Sequence, residues 1–244
     1  LYAFLYKNVA SPPTKIATWV HLFPKKKFDD QAFRHLSSGL HQLMLEFLSV
    51  KQFKKHPLKS QTLLLEAVNN TDLSKHFKGI VRNIERQSKI PGLLQPQHHY
   101  QLSRVEQFRH QHLELAEKRV RTFEHLENAD YQLDCYHIAQ KLKNYCDYLG
   151  YRKTLSKEAN IKLPPSFFEY IAESGFLKEH IIQAYYLTAN MLLQPEEEKY
   201  YQDLRELIVV QGQLFAKQEQ EIILIHLINY CIDTKINIGR QDYF

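Results

Sequence analysis

The sequence predicts an all-α protein in which antiparallel helical hairpins stack side by side into an α-solenoid. Two observations lead to this fold class. Only seven of the 244 residues are glycine, about 3% against an average of roughly 7%, whereas tight strand turns and phosphate loops depend on glycine. Apolar residues recur every three to four positions along most of the chain, and no segment alternates with a period of two. We therefore expect helices throughout and no sheet.

The first strong helix signal begins at Asp29 and Asp30. An aspartate at a helix start accepts hydrogen bonds from free backbone N–H groups and suits the positive end of the helix dipole. The apolar residues that follow are spaced by three and four positions and form one stripe: Phe33, Leu36, Leu40, Leu43, Phe47 and Val50. The lysines at 25–27 are expected in the preceding loop. The stripe should pack against neighbouring helices.

Two helices are expected next, the first of them starting at Pro57, because proline at the first helical position removes no intrahelical hydrogen bond. Two prolines and a glycine in residues 90–97 then break the pattern. We place a domain boundary there. The sequence predicts a basic helical region at 1–96 and a helical-hairpin repeat region at 97–244 that continues from it.

A helical hairpin is expected in the middle of the chain. The apolar spacing predicts one helix of about six turns over 102–123, a turn at ENAD (127–130), and a second helix over 135–149. Gly150 is positioned to cap the second helix. Two long helices joined by a short turn form an antiparallel pair.

The C-terminal third is expected to hold one short and three longer helices. Pro164 and Pro165 interrupt the chain first, because proline does not fit a helix interior. The longer helices are expected at 177–193, 196–212 and 217–233, and the last is apolar nearly all round and should be well buried. Internal matches, LKNYC with LINYC and YHIA with YLTA, favour hairpin units of about 40 residues.

Longer segments of the chain resemble known proteins. The region from LFPKKKFDDQAFRHLSSGLHQLMLEFL (22–48) through QAYYLTANMLLQPEEEKYYQDLRELI (183–208) resembles an uncharacterised family of helical proteins found in Bacteroidetes-type bacteria. The C-terminal half is also similar to tetratricopeptide-type hairpins, although its units are not 34 residues long and the tryptophan–leucine–glycine start is missing. These resemblances imply a degenerate tetratricopeptide-like scaffold of bacterial origin and supply no catalytic residue.

The three cysteines, Cys135, Cys146 and Cys231, predict no disulfide framework. Cys135 and Cys146 lie about 16 Å apart along one helix, which is too far for a bridge. Buried free thiols are typical of a reducing compartment, so we expect a cytoplasmic protein. No apolar run approaches the ~20 residues of a membrane span. The chain starts without a methionine, and we expect both ends to continue in the native protein, which leaves a signal peptide open.

No arrangement of residues points to catalysis, a cofactor or a metal. The sequence has no G-x-S-x-G, P-loop, G-x-G-x-x-G, C-x-x-C or H-E-x-x-H motif. Two close histidine pairs, His98–His99 and His110–His112, lack the three- or four-residue spacing that places ligands on one helix face. We therefore predict a protein that is not an enzyme and holds no cofactor or metal.

Charge is distributed unevenly along the chain. Residues 1–125 carry 20 Lys and Arg against 10 Asp and Glu, whereas residues 126–244 carry 12 against 17. Four cationic residues follow helical spacing and can form one stripe: Lys75, Lys78, Arg82 and Arg86. Phosphate contacts require such side chains on one face. Nucleic-acid binding through this stripe is therefore the alternative functional hypothesis.

The first functional hypothesis is a non-catalytic scaffold that binds a protein or peptide partner. Stacked hairpins present an extended concave surface that suits such partners. The residues expected on this surface are Tyr136, Gln140, Lys143, Tyr185 and Asn190. The identity of the partner and the oligomeric state stay open.

Overall fold

The computed structural model describes residues 1–69, 71, 74–116, 122–152 and 161–234. Within these ranges the backbone forms eleven α-helices, two short 3-10 helices and no strand, which confirms the all-α prediction. The α-helices are α1 (Tyr2–Lys7), α2 (Lys15–Leu22), α3 (Asp30–Lys54), α4 (Pro57–Asn69), α5 (Ser74–Gln87), α6 (Pro96–Ala116), α7 (Glu124–Arg152), α8 (Pro165–Glu173), α9 (His180–Leu193), α10 (Glu198–Gln211) and α11 (Lys217–Thr234).

Aspartate and proline mark several helix starts as predicted. Asp29 is the N-cap of α3, and its carboxylate accepts a hydrogen bond from the Ala32 N–H at 3.0 Å. α4 begins at Pro57, as predicted, whereas α8 begins at Pro165, the second residue of the proline pair that was expected to interrupt the chain. The helices predicted after the proline pair correspond to α8, α9, α10 and α11. Local capping chemistry therefore sets these boundaries.

The turn predicted at ENAD (127–130) is wrong. These residues lie inside α7, which is continuous from Glu124 to Arg152. The physical reason is the helix dipole, because acidic side chains are favourable in a first helical turn, and Glu124 and Glu127 occupy the first turn of α7. The acidic cluster marks the start of the second helix rather than the connection between the two.

Gly150, predicted as a helix cap, also lies within α7. Its surroundings explain why glycine suits the position. A Cβ atom added there would lie 3.2 Å from Cε1 of His226 on α11, closer than most carbon contacts. The missing side chain allows α7 and α11 to approach each other at this point.

The chain divides into two compact units, unit 1 (Leu1–Ser60) and unit 2 (Gln61–Phe244). The boundary predicted at residue 96 lies at the first residue of α6, inside unit 2. Backbone hydrogen bonds tie the loop before α6 into that unit: Leu94 N–H donates to the Leu214 carbonyl at 3.0 Å, and Ala216 N–H donates to the Leu94 carbonyl at 2.9 Å. These hydrogen bonds connect the loop before α6 to the segment that precedes α11.

In unit 2, α6 and α7 form an antiparallel pair. Cross-helix hydrogen bonds join Gln97 to Gln140, His99 to Gln132 and Ser103 to Ala129, so the partner numbers fall as the α6 numbers rise. The hairpin predicted here is present; residues 117–121 of the predicted first helix lie outside the described residues. α9 lies at the centre of the core, packed against α7, α10 and α11.

The core of unit 2 buries the three free cysteines, as predicted. They pack with large side chains of α9, α10 and α11, among them Tyr185, Leu204 and Ile223, which are fully buried. Six of the 18 residues of α11 are buried, and Ile225 and Ile232 are exposed, so its burial is less complete than predicted. None of the helices in the described ranges has the length and apolar character needed to cross a bilayer.

Candidate interaction surfaces

Helix α3 is far longer than the helices that precede it in unit 1. Its 25 residues span about 37 Å, whereas the eight residues of α2 span about 12 Å. Its start is fixed by charge, since Asp30 pairs with Arg34 at 2.6 Å and with Lys15 at 3.5 Å. Because α1 and α2 are so short, they can pack along only part of the length of α3.

The small core of unit 1 forms around Trp19 of α2, which is buried. The ring centre of Trp19 lies 6.0 Å from that of Phe28, and Phe28 lies 6.2 Å from Phe33 in the first turn of α3. The Trp19 indole N–H donates to the Lys26 carbonyl at 3.3 Å. This cluster, at the N-terminal end of α3, places the lysines 25–27 in a loop, as predicted.

Beyond that cluster the apolar stripe of α3 is uncovered. Every residue from 41 to 56 is exposed, and α3 has no buried residue. Leu43, Phe47 and Val50 are 63%, 64% and 53% exposed. The expectation that this stripe packs against neighbouring helices is therefore wrong for the part of the chain that the structure describes. Apolar spacing identifies the face, but the neighbours here are too short to cover it.

Helix α5 separates apolar and basic side chains on opposite faces. Its buried residues are Phe77, Ile80, Val81 and Ile84. At about 100° per residue, the four predicted cationic residues fall within an arc of roughly 80° on the other side. All four are exposed: Lys75, Lys78, Arg82 and Arg86. None of them pairs with a carboxylate among the described residues, and Arg86 donates only to Asn83 at 3.2 Å. We call these four residues the α5 basic row.

A cavity of about 370 Å³ lies next to the α5 basic row, between α5, α6 and the start of α7. Its one carboxylate among the described residues, Glu85, pairs with Arg109, which also pairs with Glu106 at 2.9 Å. Glu106 also contacts Nδ1 of His125 at 2.6 Å. Lys78 and Arg82 line the same cavity and are the cations left for an external anion.

The residues predicted on the concave face divide into two groups. Tyr136, Gln140 and Lys143 lie half-buried along α7, and the first two contact α6. Tyr185 and Asn190 are buried in α9, where Asn190 donates to the Tyr186 carbonyl at 2.8 Å. The last two are therefore core residues and are not accessible to a partner, because α9 is covered on several sides by α7, α10 and α11.

Lys143 and Tyr185 belong to a buried polar cluster. Lys143 Nζ lies 2.7 Å from one carboxylate oxygen of Glu219, and the Tyr185 hydroxyl donates to the other. The Glu219 side chain is 3% exposed and that of Lys143 is 15% exposed. Burial, followed by the negative charge of Glu219, raises the pKa of Tyr185, which therefore remains a donor. The cluster fixes α7, α9 and α11 together.

A second polar cluster lies beside a cavity of about 320 Å³ at the start of α9. Tyr131 donates to Glu179 at 2.7 Å, and Nε2 of His99 lies 4.0 Å from the same carboxylate, beyond hydrogen-bond distance. Burial lowers the pKa of His98 to about 4, with a further contribution from His99, so this imidazole is neutral at pH 7. Because His98 is neutral and the Glu179 carboxylate already accepts a hydrogen bond from Tyr131, we interpret these residues as a packed polar cluster.

Two of the buried thiols, Cys135 and Cys146, are held in their protonated form. Burial raises the pKa of Cys135 to about 12 and that of Cys146 well above its ordinary range. A protonated, inaccessible thiol is a poor nucleophile and a poor metal ligand. Among the described residues, no three His, Cys, Asp or Glu side chains converge on a point that a metal ion would occupy.

Glu219 and Glu179 were missed by the sequence reasoning, because nothing local distinguishes a buried carboxylate from a solvated one. The uncovered face of α3 did have a signal. Its strictly alternating steps of three and four residues follow a helix start that only short, proline-bounded segments precede. Comparison with protein-family models, with curated proteins and with solved structures finds no match to this chain. The resemblance to a bacterial helical family stays a prediction.

Proposed function

We propose that this protein is a non-catalytic scaffold for protein interactions, and that the uncovered apolar face of α3 is its main contact surface. The single observation that carries the proposal is the exposure of Leu43, Phe47 and Val50 along one face. Covering side chains that are more than half exposed stabilises a complex by roughly 1–2 kcal/mol each. A contiguous apolar patch of this kind is characteristic of an interaction site.

Helix energetics support the same proposal. Most of the stability of a protein helix comes from the packing of its apolar face rather than from the intrinsic helix propensity of its residues. Residues 41–56 have no packing of that kind among the described residues. A partner that covers the face would stabilise the helix and the complex together.

Unit 2 is the framework in this proposal. Its antiparallel α6–α7 pair and the packed helices α9, α10 and α11 support a stack of degenerate tetratricopeptide-like hairpins, which is the finer arrangement we propose. Tyr136 and Gln140 are the accessible part of the surface predicted from the sequence, whereas Lys143 is held by the buried Glu219. They form a second, more polar contact area on α7.

Site-specific photo-crosslinking tests the proposal. A photoreactive phenylalanine analogue replaces Phe47, and the matched control carries it at Ser49, which is also exposed but lies about 160° around the same helix. We expect crosslinked products with a protein from position 47 and few from position 49. Equal or absent crosslinking at both positions in cells that produce the chain would contradict an interaction through this face.

Nucleic-acid binding through the α5 basic row is the second candidate function. It is favoured by the four exposed cations that have no carboxylate partner in the described ranges. Replacing Lys78 and Arg82 by glutamine should remove two phosphate contacts and lower the slope of log affinity against log salt by about 2. The control replaces Lys141 and Lys162, which are exposed elsewhere in unit 2. No mobility shift of random duplex or single strands at about 50 mM salt would exclude this function.

A further inference from the structure

The apolar stripe of α3 has the spacing of a coiled-coil seam. Its members are separated by three, four, three, four and three residues: Phe33, Leu36, Leu40, Leu43, Phe47 and Val50. In heptad notation Phe33, Leu40 and Phe47 occupy position a, and the other three occupy position d. Two helices with this repeat supercoil around each other and insert their a and d side chains between those of the partner. Such a seam calls for another helix of equal length and pattern.

We propose that this seam is covered by α3 of a second copy of the chain, in a parallel two-stranded coiled coil. The inference rests on the proposed function, since it names the partner of the same surface. A two-fold axis along the seam would bring each apolar side chain against its own counterpart. The side chains that need cover, Leu43, Phe47 and Val50, lie in the same half of α3 in both copies.

The charges that flank the seam select the parallel orientation. Glu46 occupies position g and Lys51 occupies position e; both are exposed, and neither forms an ion pair among the described residues. In a parallel pair, position g faces position e of the next heptad of the partner, five residues further on. Glu46 of one copy therefore meets Lys51 of the other, and the symmetry repeats the pair. With the two seams centred on each other in the antiparallel orientation, Glu46 would instead face Gly39, which offers no charge.

The remaining flanking positions are complementary in size in the same orientation. Position g also faces the e residue five positions further on at Gly39, which lies against Met44 of the other copy, so the one large apolar side chain at an e position meets the residue without a side chain. A Cβ added at Gly39 would find nothing within 4 Å in the single chain, which leaves this space open for the partner. The pair before it joins Ala32 to Ser37, both small residues.

The area is sufficient for a reversible dimer. Phe33 and Leu40 are already partly buried in the single chain. The four exposed seam side chains, with Met44 and Phe53 beside them, supply about 600 Å² per partner at on the order of 100 Å² each, which is the low end of the range for specific interfaces. Leu45 and Leu48, also exposed, lie on the far side of α3 and stay outside a two-stranded interface. They provide a matched control, because they share the chemistry of the seam but not its position.

Sedimentation equilibrium of the full chain, from about 2 to 200 µM, tests the dimer. We expect a concentration-dependent dimer whose dissociation constant rises at least about tenfold in Leu43→Asn and changes less than about twofold in Leu45→Asn. Fluorescence of Trp19, the single tryptophan, reports whether unit 1 of each variant is folded. A wild-type monomer at the highest concentration, or equal effects of the two variants, would overturn the inference.

The orientation has its own test. Glu46→Lys should weaken the dimer by about fivefold to tenfold, because it places two lysines opposite each other, and the exchange Glu46→Lys with Lys51→Glu should restore it. Unchanged association in the single variant would overturn the parallel arrangement. Crosslinking from position 47 distinguishes this inference from the proposed function. A product with a different protein would contradict the dimer but support a protein-interaction surface. No product at all would contradict both.

Discussion

Removing the cation from the buried Lys143–Glu219 pair should be among the most destabilising single changes in unit 2. In Lys143→Met the apolar stem is retained and the charge is lost. Glu219, whose side chain is 3% exposed, then keeps only the hydrogen bond from Tyr185. Breaking a buried ion pair on one side costs about 3–5 kcal/mol. Because Tyr185 still donates and Lys143 is itself 15% exposed, we expect the lower end, about 3 kcal/mol.

The reverse substitution should cost less. In Glu219→Gln the Lys143 ammonium loses its partner, but its long stem can carry the charge towards water, since the side chain is partly exposed. The double variant removes both charges and should recover at least about 1 kcal/mol relative to Lys143→Met. A larger cost for Lys143→Met than for Glu219→Gln would show that the destabilisation comes from the unpaired buried carboxylate and not from lost packing.

Urea unfolding followed by circular dichroism measures these free energies, with Trp19 fluorescence reporting unit 1 separately. A loss of about 3 kcal/mol corresponds to a fall in melting temperature of roughly 9 °C for a unit of this size. The control is Lys217→Met, because Lys217 pairs with Glu221 at 3.8 Å on the same helix α11 but is exposed. That change should stay within about 0.5 kcal/mol. A Lys143→Met cost no larger than the control would refute the reasoning.

Two further predictions concern unit 2. Gly150→Ala should lower the free energy of unfolding by at least about 1 kcal/mol relative to Gly79→Ala. The added Cβ meets His226 at 3.2 Å in the first variant and nothing within 4 Å in the second. Urea unfolding of both variants measures this difference, and equal effects would contradict it. Burial keeps the pKa of His98 near 4, below its unfolded value of 6.5. The contribution of His98 to the stability of unit 2 is therefore complete above pH 7, where the imidazole is neutral in both states. This contribution, up to about 3 kcal/mol, is lost as the pH falls from 6.5 towards 4. His98→Gln should remove that part of the pH dependence of unfolding, whereas His137→Gln, at an exposed position, should leave it in place; identical pH profiles would exclude the assignment.

The sequence predicts helix positions well where the signal is local. Asp29 as a cap and proline at Pro57 place two helix starts, because each acts through its own backbone neighbours. ENAD was misread because acidic residues suit a helix start as well as a connection. The prediction of two helices was correct, but the acidic residues were assigned to the connection between them instead of to the start of the second helix.

Burial by distant elements is less accessible to sequence reasoning. Tyr185 and Asn190 have polar atoms that suggested a surface, but three helices converge on α9 and cover them. The α3 stripe is the opposite case, since its spacing suggested a core, whereas its members from Leu43 onward are exposed. The four residues of the α5 basic row are exposed as that interpretation requires, because their face is opposite a short apolar stripe that unit 2 does cover.

The accessibility of position 47 in the single chain tests the central claim most directly. The native cysteines are buried, and the raised pKa values of Cys135 and Cys146 make them slow to react, so a new thiol can be followed against a low background. We expect Phe47→Cys at about 1 µM to react with a thiol reagent within about threefold of the rate of Ser49→Cys, and to be protected when the concentration is raised or a partner is added. If Phe47→Cys is unreactive at every dilution while Ser49→Cys reacts freely, the chain itself covers this face, and α3 is not an interaction surface.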